Sequence, residues 1–167
     1  MALDRMAARG LLGAALLLAV GGCGPRMATL TGSLDQYFSL AFTRHEVLRT
    51  HNAFQITYYD LTQVEEDVVA RITVVTTGYD FTPGHSYDLS GEYAPGHPRC
   101  VVSHAAGNEP PRALPLVIRG KVTLDEGGKL GEETEGSFSL AFGQGGDFGD
   151  GRDISGDFAT IAGGETF

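Results

Sequence analysis

The sequence predicts an all-β domain, a single antiparallel β-sandwich or open barrel of about eight or nine short strands. Three observations carry this. Apolar and polar residues alternate with a period of two in segment after segment, which places one set of side chains on each face of a sheet. The chain holds 24 glycines, many of them between those segments, where tight turns need them. Apolar spacing at 3.6 residues is scarce after residue 28.

The segments follow in order. TLTGSL (29–34) opens the domain. FSLAF (38–42) is expected as a strand with Phe38, Leu40 and Phe42 facing the core and Ser39 and Ala41 facing away. AFQITYYD (53–60) alternates Phe54, Ile56 and Tyr58 with polar partners. VVARITVVT (68–76) is rich in β-branched residues and reads as a central strand. SYDL (86–89) and RCVVSHA (99–105) are shorter. LVIRGKVTLD (116–125) puts Leu116, Ile118, Val122 and Leu124 on one side. DEGGK (125–129) is a turn, with Gly127 and Gly128 free to adopt positive φ. FSLAF recurs at 138–142, and SGDFATIA (155–162) is the last strand. The two FSLAF copies have different flanks, so they reflect the same demand on two strands rather than a duplicated domain. LTQVEEDVVARI (61–72) could line a short helix through Leu61, Val64, Val68 and Ile72, but a loop leading into a strand is the preferred reading.

The amino terminus is of another kind. MALDRMAAR carries Arg5 and Arg9 against Asp4, and an apolar run from Gly10 to Val20 follows. That run is short of the roughly 20 residues of a membrane-spanning helix and matches the apolar region of a signal peptide. It ends in Val20-Gly21-Gly22-Cys23, which resembles the lipobox of bacterial lipoproteins. The resemblance covers residues 1–23 and departs mildly at Val20, where Leu is commoner. It implies cleavage between Gly22 and Cys23 and a diacylglycerol on the Cys23 thiol, with a membrane held through that covalent lipid and no other cofactor. Gly24 follows the cysteine, where enteric bacteria use Asp for inner-membrane retention, so in a Gram-negative cell envelope the outer membrane is favoured over the inner membrane. The expected organisation is a signal peptide at 1–22, a lipidated cysteine and short tether at 23–28, and a sandwich domain at 29–167. Six extended residues reach at most about 20 Å, so the body is expected close to the headgroups or to a membrane-bound envelope protein partner.

Without residues 1–22 the chain carries 10 basic and 20 acidic residues, a formal charge of −10. That charge argues against nucleic acid as a partner, because phosphate neutralisation dominates such binding. It also leaves membrane attachment to the acyl chains. With Cys23 lipidated, Cys100 has no internal disulfide partner, and the core alone must hold the fold.

Six of the seven prolines and three of the five histidines fall between Pro83 and Pro115. Loops on a rigid scaffold are where binding usually resides, so contacts are expected around residues 79–115. Within this stretch His97, Cys100 and His104, with His85, have zinc-ligand chemistry, but spacing allows a metal without demanding one; the preferred reading is a buried thiol among loop histidines. Asp147, Asp150 and Asp153, with Asp157, lie among glycines at 143–157 and could wrap calcium, although a solvated hairpin loop explains the same residues. HEVLRTH (45–51) fails as a zinc-protease motif, since Arg49 stands where the second histidine is required. There is no GxSxG elbow, GxxxxGK loop or SxxK. Tyr79, Tyr87 and Tyr93 substitute only partly for the tryptophan platforms of sugar-binding sandwiches. The leading expectation is a non-catalytic binding or accessory lipoprotein of the envelope. The alternatives are a small exported hydrolase using histidine or carboxylate residues, and a calcium-dependent adhesin-like domain.

Overall fold

The computed structural model describes residues 27–61, 65–107, 109–145 and 151–164. Among them are ten strands: β1 (Thr29–Thr31), β2 (Arg44–Arg49), β3 (Ala53–Asp60), β4 (Asp67–Val75), β5 (His85–Leu89), β6 (Arg99–Ala105), β7 (Arg112–Ala113), β8 (Val117–Glu126), β9 (Glu133–Phe142) and β10 (Asp153–Ile161). They form two antiparallel sheets of five, ordered β1-β10-β9-β8-β5 and β2-β3-β4-β6-β7. The sandwich of the sequence reading is therefore present, with β4 central in the second sheet as its β-branched residues suggested.

Both flanks of the sandwich are stitched. Beyond β10, the Arg49 N–H donates to the Gly163 carbonyl at 2.8 Å and the Gly163 N–H to that of Val47 at 2.8 Å. On the other side the Cys100 N–H donates to the Ser90 carbonyl at 2.6 Å. These bonds occupy part of the polar sheet edges that would otherwise invite pairing with another chain.

The core lies where the inner faces meet. Phe54, Ile56 and Tyr58 of β3 are fully buried, as expected, and face Phe138, Leu140 and Phe142 of β9 and Ile154 and Phe158 of β10. Ring centroids are 5.8 Å apart for Phe54 and Phe158, and 6.1 Å for Tyr58 and Phe138. The Tyr58 hydroxyl is the polar tip of this layer and donates to the Asp157 carbonyl at 2.8 Å, so its burial leaves no donor unmet. Each such aromatic or aliphatic side chain contributes about 1.5–3 kcal/mol through burial.

Two expectations are corrected. The first FSLAF, 38–42, is not a strand. After β1 the chain makes a 3-10 turn, Ser33–Gln36, and the Asp35 carboxylate accepts the Leu40 N–H at 3.0 Å. Ser39 Oγ accepts the Ala41 N–H at 3.2 Å. Local side chains thus take donors that a ladder would have used. The alternation survives without pairing: Leu40 is buried, Phe38 stacks on His104 at 4.1 Å, and Phe42 meets Tyr58 edge-on at 4.9 Å. The second copy does lie in β9, where β8 and β10 flank it.

The second correction concerns 116–125. The register of β8 against β9 shifts between Val117 and Arg119. Such a shift moves side chains to the opposite face. Val117, Val122 and Leu124 point inward, while Leu116 and Ile118 are 45% and 57% exposed. The turn that follows is as expected, with φ of 69° at Gly127 and 101° at Gly128.

Candidate binding site at one end of the sandwich

One end of the sandwich is built from the β2–β3 turn and the loop after β4. At the turn the Thr50 N–H donates to the Ala53 carbonyl at 2.9 Å, and the Ala53 N–H donates to Thr50 Oγ1 at 3.0 Å. The Thr76 N–H donates to the Asn52 carbonyl at 2.8 Å, and the Tyr79 N–H to the Thr76 carbonyl at 3.0 Å, closing a second turn in which Gly78 has φ of 81°. Between these turns lies an open cavity of about 470 Å³, lined by Arg49, His51, Asn52 and residues 76–80.

Arg49 is the distinctive side chain. Strand alternation puts it in phase with the buried Val47, on the core side of β2. Its Nη1 donates to Thr76 Oγ1 at 3.2 Å, and its guanidinium carbon stands 5.8 Å from the centroid of Phe81. Phe81 in turn stacks on Tyr87 at 4.3 Å, and the Tyr87 hydroxyl accepts the Thr82 N–H and donates to the Asp80 carbonyl, each at 2.8 Å. The loop holding the cation is thus tied down. The ion pairs among the described residues join Arg44 to Glu46 and Glu66, and Arg112 to Glu109; none involves Arg49. Burial lowers the pKa of Arg49, and the nearby Asp80 and Tyr87 offset this only in part. Arg49 still stays charged at any physiological pH. A half-buried cation with one hydroxyl partner has donors left over for a ligand.

The residues singled out by sequence are dispersed. Cys100 is buried in β6, and burial pushes its thiol up to about 12, so it is a poor nucleophile. His104 lies four positions further along the same strand, roughly 13 Å away, too far to share one zinc ion with it. The His104 ring nitrogen Nδ1 sits 3.0 Å from the Val69 carbonyl, while His97 and His85 are exposed elsewhere. Among the described residues no three His, Cys, Asp or Glu are placed to hold a metal. Asp153 accepts the Ser33 hydroxyl at 2.5 Å, and Asp157 accepts that of Thr29 at 2.7 Å, so both clip the first segment of the domain to β10. Asp147, Asp150, Gly22 and Cys23 lie outside the described residues.

The loops around 79–115 contribute Tyr79 and Asp80 to the cavity. Arg49, the other half of the site, was missed. In RHEVLR the apolar Val47 and Leu48 are adjacent and define no apolar phase, so only the burial of Val47 marks Arg49 as core-facing.

Two other features are less suited to a ligand. A groove of about 540 Å³ runs between β1 and residues 40–42, with Asp35 its one ionisable side chain, already bonded to the Leu40 N–H. On the outer face of the second sheet the Tyr59 hydroxyl donates to Glu46, beneath Arg44, whose guanidinium carbon is 4.2 Å from the Tyr59 centroid. Burial, then Glu46, raise the Tyr59 pKa, as befits a phenol that stays protonated within a structural network.

No family model matches the chain, and no curated protein or solved structure matches it.

Proposed function

We propose that this chain is a lipid-anchored, non-catalytic binding module of the bacterial cell envelope, with the cavity beside Arg49 as its binding site. The observation that carries the binding role is the half-buried Arg49 guanidinium, open to a cavity and, among the described residues, hydrogen-bonded to Thr76 alone. The anchoring role rests on Val20-Gly21-Gly22-Cys23 and on the start of β1 at Thr29, six residues past the cysteine. Two or three acyl chains hold a protein stably where one does not. No helix among the described residues is long and apolar enough to cross a membrane. Gly24 favours the outer membrane as the destination.

Expression of the full chain in a Gram-negative host tests the anchor. The expected product starts at Cys23, carries the mass of a diacylglycerol and fractionates with the outer membrane. A Cys23→Ser chain should lose the lipid. An unlipidated wild-type product that still begins at Met1 would refute the anchor. A photo-reactive residue at Thr77 tests the binding role, with adducts in intact cells as the supporting result and none as the refuting one.

A further inference from the structure

We propose that the cavity beside Arg49 binds a phosphate group, free or carried by a small solute or a lipid headgroup. This deepens the reading of the cavity as the module's binding site and rests on it.

Arg49 sits at a core-facing position and has given up part of its hydration. Desolvating a cation is costly unless an anion or several acceptors replace the water. Thr76 Oγ1 replaces it for one of five N–H donors. The remaining donors have no carboxylate among the described ion pairs. An oxyanion entering the cavity would supply the missing charge through charge-assisted hydrogen bonds, which are about twice as strong as neutral ones.

The rest of the lining narrows the class of oxyanion. His51 and Asn52 stand on one turn and Thr77 on the other, so both turns bring further donors to the lining. Asn52 Oδ1 already accepts from Thr50 Oγ1 at 3.2 Å, which leaves the Asn52 amide donors for a ligand. Donors supplied by β2 and by two separate turns suit a tetrahedral group better than a planar carboxylate. The cavity, about 470 Å³, leaves room for the body of a solute beyond the phosphate itself. The site is also held in advance: Arg49 is fixed through its own N–H to Gly163 and through Phe81, and the two turns are fixed to each other by the Thr76–Asn52 bond. A preorganised cation loses less entropy on binding.

One residue opposes the ligand. Asp80 lines the same cavity, and its charge reaches Arg49. It gives the proposal a sign that a purely structural arginine would not show, because its removal should tighten phosphate binding. The body's net acidity acts at longer range and is screened over about 8 Å at physiological ionic strength.

The experiment is calorimetric titration of sodium phosphate into the full chain in neutral detergent micelles. Saturable binding with a dissociation constant on the order of 1 mM is the expected result. Arg49→Met keeps the packing on Phe81 and should weaken binding about tenfold or more; Asp80→Asn should tighten it. Arg49→Lys guards against a misfolded Met variant. It keeps the charge and stem and should still weaken binding, with an unchanged melting curve, because an ammonium lacks the planar fork. No saturable heat, or equal affinity in the Lys and wild-type chains, overturns the proposal. Repeating the titration in micelles containing phosphatidylglycerol separates the sources. Lost phosphate heat assigns the site to a headgroup, and retained heat to a soluble phosphate. Thr77 photo-adducts in cells without phosphate binding would overturn the phosphate assignment and leave the binding role standing. The absence of both would remove the two together.

Discussion

Gly136→Ala is the most exacting test of the packing. β9 and β10 place Gly136 opposite Phe158 and Gly156 opposite Phe138, so each aromatic ring crosses a glycine on the neighbouring strand. A Cβ at Gly136 would stand 2.2 Å from the Thr123 carbonyl oxygen and 2.5 Å from Cζ of Phe158. Neither neighbour can yield cheaply. The carbonyl belongs to the backbone of β8, and the ring is fully buried with its centroid 5.8 Å from that of Phe54. Overpacking of a tight core costs about 1–3 kcal/mol, and contact with the backbone places this case near 3 kcal/mol. For a domain of this size that lowers the melting temperature by roughly 10 °C. Urea unfolding followed by tyrosine fluorescence gives the free energy, and a thermal melt gives the shift. Trimming the ring in a Gly136→Ala/Phe158→Leu chain should recover only part of the loss attributed to overpacking, since the Thr123 carbonyl remains. A Gly136→Ala chain within about 0.5 kcal/mol of wild type would refute the reasoning.

Further outcomes follow from the same structure. Ile118→Ser should cost no more than about 0.5 kcal/mol, while Val122→Ser should cost about 2 kcal/mol or more, because the shift in β8 exposes the first and buries the second; equal costs in urea unfolding would remove the shift. Cys100 has its thiol raised from 9.0 to about 12 and Tyr58 its phenol raised above 10.0, both by burial. Both groups then bind their protons more tightly folded than unfolded, so their contribution is complete below pH 9 and is lost as pH climbs from 9 toward 12. In a Cys23→Ser background, Cys100→Ala should flatten the first part of that alkaline decline by up to about 1.4 kcal/mol per pH unit, as read from urea midpoints; an unchanged slope would contradict a buried, protonated thiol. Melting curves in calcium and in EDTA should coincide, since Asp153 is already engaged by Ser33; a higher melting temperature in calcium that is lost in an Asp153→Asn chain would refute this and place the ion on the 143–157 loop.

Much of the sheet content was legible because the signal is local. Alternation in AFQITYYD fixes which residues of β3 face inward, and Phe54, Ile56 and Tyr58 do. The two FSLAF copies mark the limit of such reasoning. Their residues are identical, yet 138–142 has strands on both sides, while in 38–42 Asp35 takes the Leu40 N–H and Ser39 the Ala41 N–H. Pairing depends on a partner, and a pentapeptide does not encode where its partner is. The same holds for 116–125, where the apolar spacing is regular and an extra residue against β9 turns Leu116 and Ile118 outward.

What the sequence by itself determined is the fold class, the strands with strong alternation, and the glycine turn after β8. Each rests on neighbours in the chain, whose side-chain directions follow from backbone geometry alone. Tertiary structure decided the site. Cys100 and His104 share a strand and are kept apart by its rise, while Arg49 at the end of β2 and Thr76 and Asp80 in the loop after β4 come from two segments that meet at one cavity. Convergence of that kind is set by how two sheets stack and where their turns fall, a long-range result that no local period carries.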